Sequence, residues 1–261
     1  MANSYGRSFS QASTIHNQSL TPARSQQMQE LLIQAGAEKD AALAIRILCD
    51  YLNRWNNAGP AEVAAAQAAV NGALRADPAL YLAHYAQGFL ERTRGRHRHS
   101  LSAFEATIRC NPDFARAHAQ RGQALLFLGR APEAIAAVDE AIRRNPTSNI
   151  RGYFYWVKGR SYFYQQQYAE AIHWLEQSVR NWPEVWYNRA YLASAHALSG
   201  KPGSRTAARR VLRALNRRIP VNTVAQYTVA QVIENERASR TTLGPSSRCE
   251  NAFTRDCYSP G

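Results

Sequence analysis

Aromatic residues and arginines are the side chains of this sequence best suited to binding. Thirteen of the 26 aromatic residues fall within residues 153–191, and positions 153–156 are Tyr-Phe-Tyr-Trp. Successive helical residues lie about 100° apart, so one helix cannot bury all four rings. Two interpretations stay open: the rings pack between helices, or some of them form a binding patch. Because aromatic residues and arginine dominate binding hot spots, the second interpretation predicts recognition of a protein or peptide.

A second candidate surface is basic. The formal net charge is +13, and residues 201–218 contain seven basic residues and no acidic one. Four arginines step by four residues and would form one ridge along a helix: Arg205, Arg209, Arg213 and Arg217. Such a ridge is either a solvated face or a site for a counter-charge such as nucleic-acid phosphate, anionic lipid or an acidic protein. The run of Arg and His at 92–99 has the same two interpretations, a solvated turn or a phosphate or acidic-peptide site.

Catalytic and metal-binding patterns are not found in the sequence. It has no GxSxG, P-loop, GxGxxG or HExxH motif and only 19 acidic residues. His84 and His118 lie 34 residues apart, which favours equivalent packing positions over a metal pair. Cys49 and Cys110 are predicted to be buried, while Cys249 and Cys257 could pair under oxidising conditions. We therefore predict a protein that is not an enzyme and needs no metal or cofactor.

Composition supports a globular chain. Of 261 residues, 45% are hydrophobic and 20% are charged. No apolar run approaches the ~20 residues of a membrane helix. The first 20 residues lack the apolar region of a secretory signal. We therefore predict a cytoplasmic protein without a membrane partner.

Prolines mark an internal period. Pro78, Pro112, Pro146, Pro183 and Pro220 are separated by 34, 34, 37 and 37 residues. Each follows a helix-like stretch that a proline would end. The extra residues of the two longer intervals are predicted near 149–151 and 201–204, in loops.

Small and apolar residues recur in register with these prolines. A small residue lies twelve positions before each proline, at Ala66, Ser100, Ala134, Ala171 and Ala208. An apolar residue follows four positions later, at Val70, Phe104, Val138, Leu175 and Leu212. Glycines recur upstream at Gly88, Gly122 and Gly159, and again seven positions later at Gly95 and Gly129. The spacing predicts repeated pairs of helices, each pair joined by a tight turn.

This series of glycine, small residue, apolar residue and proline resembles the tetratricopeptide repeat family. The cleanest unit is 115–148, with Gly122, Gly129, Ala134, Ala141 and Pro146. The family's tryptophan is replaced by His84, His118, Tyr155 or Arg189, and its leucine before the glycine by Gln87, Arg121 or Lys158. The resemblance implies an all-α, right-handed solenoid of about five helix-turn-helix repeats.

The resemblance also implies a concave groove lined by the first helix of each repeat. The positions that match the family's groove carry Tyr85, Phe89, Arg92, Arg116, Gln123, Phe127, Tyr153, Trp156, Arg160, Phe163, Tyr164, Tyr187 and Tyr191. Some members hold a peptide's terminal carboxylate with a Lys and Asn set, which these positions do not reproduce. The implied ligand is therefore a protein or peptide, with an acidic one favoured by the arginines.

We predict the following organisation. Residues 1–20 and 241–261 are disordered tails, 21–46 form an N-terminal helical segment, and 223–240 form a capping helix. The repeats span 47–222, divided as 47–80, 81–114, 115–148, 149–185 and 186–222, and 39–55 supplies the first helix of the first repeat.

The segment 152–201 also resembles the helical repeat region that follows bacterial class III adenylate cyclases and related winged-helix regulators. The sequence thus leaves three functions open: a protein-interaction scaffold, a nucleic-acid or polyanion binder through the ridge, or a detached regulatory module of a cyclase or transcriptional regulator.

Overall fold

The computed structural model describes residues 38–53 and 59–216, and all regular structure within these ranges is α-helical. The described residues contain ten helices and no strand. The helices are α1 Lys39–Asn53, α2 Pro60–Ala76, α3 Tyr81–Thr93, α4 His97–Cys110, α5 Ala115–Phe127, α6 Ala131–Arg144, α7 Arg151–Tyr164, α8 Tyr168–Asn181, α9 Trp186–Leu198 and α10 Ser204–Asn216. The all-α repeat fold expected from the sequence is confirmed.

The prolines end the helices as their spacing predicts. Helices α2, α4, α6 and α8 each end two residues before Pro78, Pro112, Pro146 or Pro183. The next helix begins three residues after the proline, except that α7 begins five residues after Pro146. The turn between α9 and α10 spans 199–203, whereas the turn between α3 and α4 spans only 94–96. The extra residues therefore lie in loops, where an insertion disturbs no helix packing.

The repeated small and apolar positions form the core. Ala66, Ser100, Ala134 and Ala171 are fully buried, and so are Val70, Phe104, Val138 and Leu175. Their offsets of four residues place both series on one face of α2, α4, α6 and α8. The small and apolar residues that recur with the repeat period are therefore the residues that form the buried contacts.

Glycines on the first helices allow close approach. A Cβ atom on Gly88 would lie 2.4 Å from Cε1 of Phe104, and one on Gly159 would lie 2.7 Å from Cγ of Leu175. Ser100 donates a hydrogen bond of 2.8 Å from its hydroxyl to the carbonyl of Gly88. The repeat needs glycine at this position because the second helix occupies the space of a side chain.

A residue in the left-handed region lies in the turn of each hairpin from α3 to α10. Gly95, Gly129 and Gly200 have φ values of 69°, 74° and 66°, and Gln166 takes the same role between α7 and α8 at 62°. A side chain in this conformation costs energy that glycine avoids. The sequence lacks a glycine here, so the α7–α8 turn is the strained member of the series.

The chain divides into two compact units. The first contains described residues 38–53, 59–124 and 140–150, and the second contains 125–139 and 151–216. In the first unit α1 packs on α2 and α3, and α3 packs on α4. In the second, α7 packs on α8, α8 on α9, and α9 on α10.

Several predicted segments lie outside the described residues. These are the tails 1–20 and 241–261, the capping helix 223–240, and most of the helical segment 21–46. Helix α1 passes through residues 46 and 47, so the predicted start of the repeats at 47 falls inside a helix.

Candidate functional site

The predicted groove residues of the first unit contribute to an aromatic core. Tyr85 is fully buried, with its ring centroid 5.0 Å from Phe89, 5.7 Å from Phe104 and 5.1 Å from Phe114. Burial raises the pKa of the Tyr85 phenol, and the nearby charge of Arg116 only partly opposes this effect. Tyr85 and Phe89 therefore stabilise the hairpin.

Arginine and glutamine side chains lie beside this core. Arg92 is half-buried, with its guanidinium carbon 4.7 Å from the Phe89 ring centroid and Nη1 donating a 2.8 Å hydrogen bond to Oε1 of Gln120. Arg116 and Gln123 are buried on α5. Gln120 was not among the predicted residues, because only the packing of α5 near α3 brings it to Arg92.

In the second unit, Arg160 lies among four aromatic rings. Its guanidinium carbon is 4.5 Å from the ring centroid of Trp156, 5.0 Å from Tyr191, and 5.7 Å from both Tyr164 and Phe127. Ring faces attract a guanidinium most strongly where water is excluded, and Arg160 is only 5% exposed. The sequence predicted all five residues, and the structure brings them together.

More rings extend this cluster. Tyr187 lies 4.7 Å from Trp156, Tyr153 lies 6.0 Å from Trp182, and Phe163 lies 5.5 Å from Tyr191, centroid to centroid. The hydroxyls of Tyr164 and Tyr191 are 3.1 Å apart. Trp182 was missed because it directly precedes Pro183, outside any helix. We call Phe127, Tyr153, Trp156, Arg160, Phe163, Tyr164, Tyr187 and Tyr191 the aromatic–arginine cluster.

The four consecutive aromatic residues divide between two environments. Phe154 and Trp156 are buried, whereas Tyr153 and Tyr155 are half-buried. Tyr155 packs on Trp174 of α8, with ring centroids 5.5 Å apart. Both interpretations of this run thus hold in part, because two rings belong to the core and two reach the surface.

The thirteen residues predicted to line a groove fall into two classes of exposure. The buried ones are Tyr85, Phe89, Arg116, Gln123, Trp156, Arg160, Phe163 and Tyr191. The half-buried ones are Arg92, Phe127, Tyr153, Tyr164 and Tyr187. Four of these five half-buried residues belong to the aromatic–arginine cluster, which is therefore partly accessible to solvent.

Polar residues replace the family's leucine before the glycine, and the structure shows what they bind. Arg121 contacts Glu105 of α4 at 3.4 Å from Nε to Oε1. Lys158 contacts Asp139 of α6 at 2.5 Å from Nζ to Oδ1, and its Nζ lies 3.9 Å from the Trp174 ring centroid. At both positions an ion pair to the second helix of the preceding hairpin replaces an apolar contact.

The tryptophan position of the family is used to hold the preceding turn. Nε2 of His84 and of His118 lies 2.8 Å from the carbonyl oxygen of Pro78 and Pro112, six residues earlier. Arg189 donates to the carbonyl of Pro183 in the same way. Burial lowers the pKa of His118, which favours the neutral ring. These residues therefore have a structural role, in agreement with the packing interpretation of the two histidines.

The basic run at 92–99 is partly neutralised. Buried Glu91 accepts hydrogen bonds from Arg96, at 2.6 Å from Nε to Oε2, and from Gln87, at 2.6 Å from Nε2 to Oε1. Arg94 lies 4.0 Å from the same carboxylate, and Arg92 is engaged with Gln120. The interpretation as a turn, and not as an anion site, is favoured here.

The predicted ridge lies on α10. Arg205, Arg209 and Arg213 are exposed, and so is the neighbouring Arg210, whereas Arg217 lies outside the described residues.

Cysteine and histidine chemistry is limited in the described part of the chain. Cys49 is buried as predicted, and burial raises its thiol pKa to about 11. The prediction for Cys110 is wrong: it is exposed, because it ends α4 on the side facing solvent.

Among residues 38–53 and 59–216 no three His, Cys, Asp or Glu side chains are grouped to hold a metal ion. None of the described helices is both long and apolar enough to span a membrane.

Comparisons with known proteins agree with this architecture. Residues 85–149 and 157–214 match the family model described as Tetratricopeptide repeat. No curated protein matches the chain. Among solved structures, PilW, a widely conserved type IV pilus biogenesis factor, is 19% identical with a TM-score of 0.60, over 84% of this chain and 94% of its own.

Two further structures are similar. PilF of Pseudomonas aeruginosa is 18% identical with a TM-score of 0.59, over 85% of this chain and 99% of its own. A MamA RS-1 double mutant is 16% identical with a TM-score of 0.52, over 68% of this chain and 95% of its own. At these identities the likeness shows a common fold. The two matched stretches and the repeated helical hairpins agree with this likeness, so the chain has the fold of tetratricopeptide repeats.

Proposed function

We propose that this protein is a non-catalytic scaffold that binds a segment of a partner protein at the aromatic–arginine cluster of the second unit. The observation that carries the proposal is Arg160, whose guanidinium lies 4.5–5.7 Å from four ring centroids. Tetratricopeptide repeats are interaction modules, and the family's groove positions coincide with these residues. The four half-buried rings of the cluster supply the apolar area that a peptide side chain needs.

The chemistry of Arg160 favours an acidic segment. A guanidinium binds a carboxylate through two parallel hydrogen bonds, and aromatic rings that stack on it do not use the N–H groups that make these bonds. The low exposure of Arg160 strengthens such a contact by excluding water. Tyr153, Tyr164 and Tyr187 are half-buried around it and would pack on the flanking apolar residues of the same segment.

Affinity purification of the full chain followed by mass spectrometry tests the proposal. The variants are Trp156→Ala with Arg160→Ala, and a milder pair, Tyr164→Ser with Tyr187→Ser, which removes two half-buried rings. Arg180→Ala is the matched control, since Arg180 is an exposed arginine on α8 of the same unit. We expect both pairs to lose a common set of partners that wild type and Arg180→Ala retain.

Circular dichroism must accompany these measurements, because Trp156 and Arg160 are buried. If the first pair unfolds, the milder pair still decides the question. Identical partner sets for wild type and a folded variant pair would overturn the proposal.

The scaffold is further proposed to be cytoplasmic and regulatory. This part rests on the resemblance of residues 152–201 to the repeats of bacterial cyclases and winged-helix regulators. Its test is independent of the binding site: a cyclase or winged-helix gene beside the coding gene would support a regulatory role, and its absence across relatives would count against it.

A further inference from the structure

Helix α10 carries a dense group of exposed arginines. Arg205, Arg209 and Arg210 are exposed, and none of them forms an ion pair within the described residues. The helix sequence Ser204–Asn216 contains no acidic residue. Glu176 of α8 lies near enough to influence His196, as Arg210 does, but it makes no ion pair with α10. The positive charge of α10 is therefore directed to solvent.

Some exposed arginines elsewhere in the chain have acidic partners. Arg130 pairs with Glu133 at 2.5 Å, and Arg143 and Arg144 both pair with Glu140 at 2.6 and 2.5 Å. Hydrogen bonds from these two arginines lower the pKa of Glu140 to about 2. Arg75, Arg98, Arg109 and Arg180 are also exposed and form no ion pair within the described residues, but they are spread over α2, α4 and α8. Helix α10 differs because it carries four exposed arginines within residues 205–213.

The closely spaced arginines lower the stability of helix α10. Arginines at i and i+4 repel each other by a few tenths of a kcal/mol per pair, which applies to Arg205 and Arg209. Arg205 also lies in the first turn, where the helix dipole disfavours a cation. Binding of an anion would remove both penalties.

The spacing suits a regular array of anions. Four residues rise about 6 Å along a helix, so Arg205, Arg209 and Arg213 span about 12 Å. Duplex DNA carries one phosphate charge per about 1.7 Å of its axis, so the same length of duplex presents about seven phosphates. A carboxylate-bearing peptide has no comparable fixed density of charge.

The remaining side chains of α10 distinguish between polyanions. It has no aromatic residue on which an unpaired base could stack, which disfavours single strands. Its larger apolar residues, Val211 and Leu212, are half-buried, and Ala208 is buried. The described side chains of residues 204–214 therefore form no exposed apolar face of the kind that interfacial helices insert into a membrane.

We propose that the exposed arginine face of α10, Arg205, Arg209, Arg210 and Arg213, binds the phosphate backbone of duplex nucleic acid without sequence preference. Phosphate contacts alone supply such binding, and guanidinium groups are well suited to them. This site is on another helix than the aromatic–arginine cluster, so either function can fail without the other.

Fluorescence anisotropy with a labelled 20-base-pair DNA of arbitrary sequence tests the proposal across a salt series starting at about 50 mM. The test variant changes Arg205, Arg209 and Arg210 to Gln. The matched control changes Arg75, Arg109 and Arg180 to Gln, which removes the same charge from exposed arginines on α2, α4 and α8. We expect the test variant to bind at least ~10-fold more weakly and its salt slope to fall by about 2 to 3, since each phosphate contact contributes about 0.9.

The other outcomes overturn the proposal. Absence of binding by wild type at about 50 mM salt would do so, as would an equal loss in test and control variants. Two competitors identify a different macromolecule: poly-glutamate and vesicles of anionic lipid, each at equal charge concentration. Displacement of the DNA by either one as effectively as by unlabelled duplex would assign the face to an acidic protein or to a membrane.

Discussion

The α3–α4 and α7–α8 hairpins have the same backbone plan and opposite buried charges. In both, a glycine of the first helix contacts a large side chain of the second, Phe104 or Leu175. The first buries the carboxylate of Glu91, which Arg96 and Gln87 contact. The second buries the ammonium group of Lys158, which Asp139 and Trp174 contact.

This difference shows which repeat positions are constrained. The glycine position is fixed by the distance between helices, because no side chain fits there. The position before the glycine accepts Gln87 or Lys158, provided that a partner of suitable charge lies within reach. A tetratricopeptide repeat can therefore vary its charge while it keeps its packing.

The largest expected effect concerns the glycines. Gly88→Ala should lower the free energy of unfolding by about 1–3 kcal/mol, because its Cβ would lie 2.4 Å from Cε1 of Phe104. The gain in helix propensity, about 1 kcal/mol, is smaller than this cost. Urea denaturation followed by circular dichroism measures it. Combination with Phe104→Leu should cost less than the sum of the single changes, since the clashing ring atoms are removed.

A change of the contacting side chain should restore less of the stability lost in Gly159→Ala than of the stability lost in Gly88→Ala. Its Cβ would lie 2.7 Å from Cγ of Leu175 and also 3.1 Å from that residue's backbone nitrogen, which no side-chain change removes. Leu175→Ala removes the 2.7 Å contact and leaves the 3.1 Å contact with the backbone nitrogen, so the two changes should combine less than additively while part of the cost of Gly159→Ala remains. An equal rescue in both hairpins would show that the two contacts are equivalent.

The buried charges should give the next largest effects. Glu91→Gln should cost about 1–2 kcal/mol, because it removes charge-assisted hydrogen bonds to a buried carboxylate. Lys158→Met should cost less, since methionine keeps the packing of the stem and Asp139, half exposed, stays hydrated.

Urea denaturation of both variants checks this order, with Glu176→Gln as a control. Glu176 is an exposed carboxylate of α8, and its change should stay within about 0.5 kcal/mol of wild type. A larger loss for Lys158→Met than for Glu91→Gln would reverse the comparison.

The turns should respond in opposite directions. Gln166→Gly should raise the free energy of unfolding by about 1 kcal/mol, because Gln166 has a φ of 62° that glycine adopts without strain. Gly95→Gln, at a φ of 69°, should lower it by a similar amount. Thermal and urea unfolding measure both, and a loss of stability on Gln166→Gly would show that its side chain contributes more than the strain costs.

The smallest expected effect is a dependence of stability on pH. His118 of the first unit and Arg189 of the second each hydrogen-bond to the carbonyl of the proline six residues earlier, but only histidine changes its charge near neutral pH. The pKa of His118 is lowered by burial, so the unfolded chain binds its proton more readily than the folded chain. Stability should therefore fall as the pH drops below about 6.5. His118→Gln, which can still donate to Pro112, should flatten the dependence of stability on pH between 7 and 5.

The histidines His97 and His196 provide the control for this slope, because burial lowers their pKa as well. In the His118→Gln variant, the contributions of His97 and His196 to the pH dependence of stability should remain, and only the contribution of residue 118 should be lost. Arg189→Gln should change stability without changing the slope, since arginine does not titrate in this range. An unchanged slope in His118→Gln would contradict the assignment.

The sequence by itself determined the repeat. Prolines that end helices, glycines that permit contact and small residues twelve positions before each proline act through local sterics and a fixed helical period, so their spacing specified the helices and their buried faces. It also identified the members of the aromatic–arginine cluster, because the family's groove positions follow the same period.

Only the tertiary structure decided which of these residues reach the surface. Trp156 and Tyr164 occupy similar predicted positions, yet one is buried and the other half-buried. The pairing of Arg92 with Gln120 and of Lys158 with Asp139, and the left-handed Gln166, depend on distances between helices and on turn geometry. Burial and pairing are set by neighbours that are distant in sequence, and a helical period carries no information about them.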